Sequence, residues 1–254
     1  MKMHLNKPTG LKYSELVHSV PDNEFKNLTR STVPSLAYWK SPQRRDELMN
    51  IILGENNYGN ADLCFEYSVP SYGSNRPSYT DLMLISPNGV VAIEVKHTEP
   101  RYESVTHWLG ENPTQNKQNV LSHWLSILQP HCEHLLTPDN VGDIPYQMLH
   151  RVASGCYVGD EHRQSITILY QVFDGENSHY ADYVEDLASF RVALQLNPEV
   201  KLAITRIDTE LSAAGEALSI ELDDMDELHR AHAIRLTLIN NDIYVLGEDE
   251  VVYF

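Results

Sequence analysis

Asp81, Glu94 and Lys96 are the residues of this chain whose types and spacing could do chemistry. They lie in a stretch, residues 79–97, that is otherwise mostly apolar. Two carboxylates brought side by side repel unless a proton or a cation lies between them. Carboxylate oxygens suit Mg²⁺, which keeps several waters and takes one or two carboxylates plus a phosphate. A cation held this way lowers the pKa of a water and stabilises charge at a phosphorus centre. The Lys96 ammonium is then placed to position that water or to help deprotonate it. The competing expectation is a surface hairpin with three solvated charges. Against it stand apolar residues on both faces: Leu82 and Leu84, Met83 and Ile85, and Val91, Ile93 and Val95. Lys and acidic residues are almost never fully buried unless paired.

Two strands and a turn must position these groups. Residues 82–85 and 90–95 are rich in aliphatic and β-branched side chains, and Ser86-Pro87-Asn88-Gly89 between them is turn chemistry. Alternation along a strand puts Glu94 and Lys96 on one face. If Ser86 pairs with Gly89, Asp81 falls opposite Glu94. If Asn88-Gly89 alone forms the loop, Asp81 falls opposite Lys96. A three-residue loop would slip the register by one and separate the charges.

Asp81, twelve intervening residues and then Glu94-Val95-Lys96 resemble the PD-(D/E)XK nuclease superfamily. Thr80 stands where that family usually has Pro. Downstream, Asn112-Pro113-Thr114-Gln115 opening a helix is similar to the nuclease-related (NERD) branch. The resemblance covers residues 41–175. It implies an α/β fold with a mixed central β-sheet flanked by helices, a restriction-endonuclease-like core in the order αβββαβ. It also implies Mg²⁺- or Mn²⁺-dependent hydrolysis of nucleic-acid phosphodiesters, leaving a 5′-phosphate, in restriction, repair, transposition or phage defence. Asp81 and Glu94, with the Val95 carbonyl, would hold the metal. Lys96 would orient the attacking water and Gln115 would position substrate. Such folds carry a further acid on the first helix. Glu47 is chosen for it, in an Asp46-Glu47 pair where the NERD branch has a Gly-Glu repeat, with Glu66 as the alternative. A catalytically silent module of the same fold, binding protein or nucleic acid, is the other reading.

The 254 residues suffice for one sizeable domain or two modest ones. The formal net charge of −17 opposes non-specific binding to a polyanion. A nucleic-acid partner, DNA first, therefore needs a local basic groove or a recruiting protein, and a homodimer is a further option. Cys64, Cys132 and Cys156 form no disulfide framework or zinc knuckle, which fits a reducing cytoplasm. No apolar run reaches membrane-spanning length, and the first ten residues lack the apolar core of a signal peptide.

Residues 1–40 read as an irregular arm with a short helix near residues 23–28. A helix is expected from Ser41-Pro42, an N-cap and a first-turn proline, to Gly54. Residues 63–69 read as a strand, and Arg76 in the loop beyond it could meet a phosphate. The spacing of Leu121, Trp124, Leu125 and Leu128 predicts a helix after Gln115. Trp108 and Trp124 could stack on bases or serve the core. Residues 152–158 and 165–173 read as two further strands. A small α/β extension follows over residues 176–254, with a helix at 183–196, a strand at 201–207 and a closing hairpin around Gly247. The pairs His131/His134 and His229/His232 have chelate spacing but no second ligand pair of finger-like spacing. The acidic run at 223–227 fits a helix cap or a solvated face better than a calcium loop.

Overall fold

The computed structural model describes residues 1–54, 60–72, 77–175 and 178–254. Its elements in chain order are β1 (Lys2–Leu5), α1 (Tyr13–Ser19), α2 (Thr32–Lys40), α3 (Pro42–Leu53), β2 (Asp62–Val69), β3 (Ser78–Ser86) and β4 (Gly89–Lys96). There follow α4 (Val105–Leu109), α5 (Gln115–Leu128), α6 (Tyr146–His162), β5 (Ser165–Asp174), α7 (Tyr180–Leu194), β6 (Val200–Leu211), α8 (Ala213–Leu222), α9 (Glu227–Asn240) and β7 (Tyr244–Tyr253). The strands form one mixed seven-stranded sheet whose spatial order is the order of the sequence. β4, β5 and β6 run parallel, the other neighbours of this central trio pair antiparallel, and β1 adds parallel to β2.

Two apolar layers sandwich the sheet. One face packs on α5, α6 and α7 through Val90, Ala92, Ile168, Tyr170, Leu202 and Ile204. The other packs on α1, α2, α3, α8 and α9 through Leu84, Val91, Ile93, Leu169 and Ala203. Strands covered on both faces are apolar throughout, which is why β4 is buried at every residue. Around the hairpin the element order αβββαβ is present, from α3 through β2, β3 and β4 to α6 and β5.

Sequence signals set several boundaries. Ser41 caps α3, its Oγ accepting from the Arg44 N–H at 3.4 Å, with Pro42 in the first turn and Gly54 at φ 80° beyond the end. Thr114 caps α5 in the same way at 3.3 Å from the Lys117 N–H.

Other segments differ from expectation. Residues 152–158 are not a strand but the middle of α6. Arg151 through Cys156 are all buried, so the helical period is hidden in a run that looks like a buried strand. Gly155 and Gly159 let the helix lie directly on the sheet. A Cβ on Gly155 would sit 2.3 Å from Ile168 Cδ1 and 3.1 Å from Ala92 Cβ. The first forty residues are likewise built of regular elements, with β1, α1, a 3₁₀ turn at Asp22–Phe25 and α2. Pro34 is tolerated because it falls in the first turn of α2, where no N–H is required. The closing segment is one strand, β7, rather than a hairpin. Gly247 falls at a register shift opposite residues 207–209, where a Cβ would sit 3.1 Å from Asp208 Cβ. The chain beyond residue 175 supplies β6 and β7 to the same sheet.

Candidate functional site

The hairpin turn decides the site. Ser86 pairs with Gly89, and the ladder runs from there to Leu82 opposite Ile93. The Ser86 hydroxyl ties the turn, accepting from the Gly89 N–H at 3.1 Å and donating to the Gly89 carbonyl at 2.9 Å. Continued by one residue, this register sets Asp81 against Glu94. There the two strands part, and the Asp81 side chain replaces the ladder: its Oδ2 accepts from the Val95 N–H at 2.8 Å. In an extended strand the N–H and C=O of one residue point to the same side, so the Val95 carbonyl also faces this opening.

β2 adds a third carboxylate to the row. Phe65 pairs with Leu82 and Tyr67 with Thr80, which brings Glu66 level with Asp81. Glu66 has φ 52°, a left-handed kink inside a strand. Glu66, Asp81, Glu94 and Lys96 line one cleft of about 250 Å³. Its far wall comes from the N-terminal segment and the chain after β4: Glu24, Arg30, Ser31, Glu99 and Tyr102. Glu99 staples the two, accepting from the Ser31 N–H at 2.9 Å and the His97 N–H at 2.8 Å.

Glu94 is the hub. It is 1% exposed, and Lys96 and Arg151 are each 2% exposed. Lys96 Nζ donates to Glu94 Oε1 at 2.6 Å, and Arg151 Nε lies against Oε2. Arg151 comes from α6, where its Nη1 also donates to the Tyr79 carbonyl at 2.7 Å and its Nη2 stands 3.9 Å from Asp81 Oδ1. Gln147, one turn earlier on α6, lines the cleft as well. The Tyr102 ring covers the Lys96 ammonium at 4.5 Å.

These contacts set the charges. Burial alone would raise Glu94, but Arg151 and Lys96 outweigh it and hold the carboxyl down at about 2. Burial alone would lower Lys96, but the Glu94 and Asp81 carboxylates raise it and keep it an ammonium. Asp81 moves the other way: enclosure and then Glu94 push it up, against Arg151, Lys96 and the Val95 N–H. Glu66 is pushed up to about 7 by burial, then by Glu24 and Glu94, with Arg151 and Arg30 opposing. His150, beside Arg151 on α6, is pushed down to about 3 by burial and then by Arg151, so it stays neutral.

The donor chemistry fits a hard divalent cation, since the Asp81 and Glu94 carboxylates and the Val95 carbonyl are all oxygen ligands. Asp81 Oδ1 is the least committed of them, its Arg151 neighbour being beyond hydrogen-bond range at 3.9 Å. Among the described residues, no three His, Cys, Asp or Glu stand close enough together to hold a metal ion. Waters and a substrate oxygen would have to complete its shell, as is usual for Mg²⁺.

Two expected residues lie elsewhere. Glu47 is on α3, bonded to Gln43 Nε2 at 2.8 Å, in a separate hollow lined by Arg44 and the 246–249 segment of β7. Its helix packs on the opposite face of the sheet from α6, so Glu66 is the acid that shares the cleft. Gln115 is exposed at the start of α5 and donates to Asn119 Oδ1 at 2.9 Å. The cleft's glutamine is Gln147, on the next helix. Gln147 and Arg151 are absent from the sequence expectations because residues 152–158 of α6 read as a strand. Their spacing of four on one helix face was the available signal. Arg76 lies outside the described residues.

Several other candidates serve the fold. Trp124 is buried in the core, and Trp108 stacks on Tyr146 at 3.8 Å. His131 pairs with Asp160 at 3.0 Å. Asp226 caps α9 through the His229 N–H at 3.0 Å.

A protein family described as Domain of unknown function (DUF6946) matches residues 12–215. The chain belongs to this family. The matched span contains every residue that lines the cleft, from Glu24 to Gln147, as well as Arg151, and runs past both ends of the 41–175 core. No curated protein and no solved structure matches the chain. No described helix is long and apolar enough to cross a membrane.

Proposed function

We propose that this protein is a divalent-metal-dependent phosphodiesterase acting on nucleic acid, a nuclease of the PD-(D/E)XK kind. One observation carries the reading. Asp81 and Glu94 converge where β3 and β4 part, with Lys96 bonded to Glu94 at the floor of an open cleft. A bound Mg²⁺ or Mn²⁺ would activate a water and neutralise charge on the phosphodiester. Asp81, the Val95 carbonyl and Glu94 would hold it. Lys96 remains charged and so acts as a donor, orienting the attacking water or meeting the phosphate oxygen. It does not act as the base. Glu66, poised near neutrality, is the group suited to take the water's proton.

The test is cleavage of plasmid and single-stranded DNA with Mg²⁺ or Mn²⁺, wild type against Asp81→Ala, with Mn²⁺ binding followed by calorimetry on the same samples. Cutting and binding that both vanish in the variant support the proposal. A wild type that neither binds nor cuts ends it. DNA rather than RNA, and a role in restriction, repair or phage defence, belong to the proposal on the resemblance alone.

A second reading, a nuclease-fold module that binds without turnover, is favoured by Arg151. A guanidinium already neutralises the carboxylates that a metal would use, and the chain's net charge is −17. Neither cation binding nor cleavage, with binding of nucleic acid or protein retained, would select it.

A further inference from the structure

The Arg151 guanidinium stands where a cation shared by Asp81 and Glu94 would stand. Its Nε is on Glu94 Oε2 and its Nη2 is 3.9 Å from Asp81 Oδ1. It is fixed from behind by the bond from Nη1 to the Tyr79 carbonyl at 2.7 Å. Lys96 holds the other Glu94 oxygen at 2.6 Å. Both oxygens of Glu94 are therefore committed to cations of the chain itself. The backbone allows little slack, because Gly155, one turn beyond Arg151, lies in contact with Ile168 and Ala92.

We propose that Arg151 is an internal counter-ion that competes with the divalent cation for Glu94, so that tight cation binding requires a phosphate oxygen from the substrate. This rests on the metal-dependent reading above and adds the order in which its site loads. A divalent ion entering the free protein meets Asp81 Oδ1 and the Val95 carbonyl. To engage Glu94 it must displace a buried guanidinium, and separating such a pair leaves an uncompensated charge. A phosphodiester in the cleft supplies the missing ligand instead, because Mg²⁺ accepts one or two carboxylates plus phosphate oxygens. Arg151 is thus a positioning residue, acting through Glu94. In the absence of nucleic acid it keeps the carboxylate pair neutralised.

The experiment measures Mn²⁺ affinity by calorimetry for wild type, R151Q and R151K, each with and without a non-cleavable single-stranded phosphorothioate oligonucleotide. Wild type is expected to bind Mn²⁺ about tenfold or more tighter with the oligonucleotide present. R151Q is expected to bind Mn²⁺ about tenfold tighter than wild type without it, and to lose most of that coupling. R151K keeps the charge but cannot both pair with Glu94 and donate to the Tyr79 carbonyl as the guanidinium does, so it should fall between the two; it decides the matter if R151Q fails to fold. Wild-type binding that the Arg151 variants leave unchanged overturns this proposal alone. Absence of Mn²⁺ binding by every protein, with and without oligonucleotide, overturns it together with the hydrolase reading.

Discussion

Lys96 Nζ and Glu94 Oε1 lie 2.6 Å apart, two residues along one strand and both shut away from solvent. Strand neighbours two apart share a face, so the backbone itself holds the pair in place. With Arg151 against the second oxygen, two buried cations share one carboxylate.

Removing that carboxylate should therefore cost stability beyond any loss of activity. Glu94→Gln leaves Lys96 and Arg151 buried without a full counter-charge. Breaking a buried pair costs about 3–5 kcal/mol. Urea unfolding of the variant should show a loss of that size, and a loss within the ordinary range for surface changes would contradict the hub.

Asp81→Asn should behave in the opposite manner. The amide oxygen can still accept the Val95 N–H, and the repulsion between Asp81 and Glu94 disappears. Stability of the cation-free protein should be unchanged or higher at about pH 8, while Mn²⁺ binding and cleavage are lost. Denaturation and calorimetry on one preparation separate the two effects.

The cation-free protein should lose stability as pH rises from about 5 to about 8. Glu66, pushed up to about 7, and Asp81, also raised, bind protons in the folded state that they would have released in the unfolded one. Folding then holds more protons than unfolding across this window, so stability falls with rising pH. Glu94, held down at about 2, acts in the other direction and is lost only in strong acid, while His150, held down to about 3 by burial, offsets one of the two raised carboxyls below the ordinary histidine value of 6.5. Melting temperatures across the window should decline, Mn²⁺ should reverse the decline, and Glu66→Gln should flatten it. An upward slope would remove Glu66 from the cleft.

Gly155→Ala tests the seat of α6. The added methyl meets Ile168 and Ala92, an overpacking cost of about 1–3 kcal/mol, offset by about 1 kcal/mol of helix propensity. A net loss of about 1 kcal/mol is expected, with a larger relative drop in cleavage because Arg151 moves with the helix. Unchanged cleavage would show that the seating of α6 does not govern Glu94.

Glu47→Ala and Gln115→Ala should leave cleavage within about twofold of wild type, because neither residue reaches the cleft. Glu66→Gln should reduce it by about tenfold or more. The reverse ranking would restore the first-helix acid.

What the sequence made legible was local. The Ser86-Gly89 turn fixes a register, and the register alone brings Asp81 to Glu94. The α/β class and the mixed sheet were expected from the resemblance of the Asp81 to Lys96 hairpin and the elements around it, and the sheet is mixed. Arg151 and Gln147 were hidden because a helix buried on nearly every side loses its periodic signature, so that residues 152–158 read as a strand. Glu24 and Glu99 reach the cleft through a long-range staple between residues 31 and 99 that no local pattern encodes. Glu47 was misplaced for the converse reason: position on a helix was clear, but the sheet face that helix covers was not.

The sequential strand order has a consequence for assembly. Every strand pairs with its neighbour in the chain, so the sheet can grow in the order it is synthesised. The Glu94 counter-charge on α6, however, arrives well after the β3–β4 hairpin has emerged. Until that helix docks, Lys96 alone offsets the Asp81 and Glu94 carboxylates, so the Asp81 end of the hairpin must stay hydrated, because burying two carboxylates against one cation is costly. Final docking of α6 and closure of the site are then one event, and the Val95 amide should gain protection from hydrogen exchange together with the amides of α6 rather than with the hairpin turn.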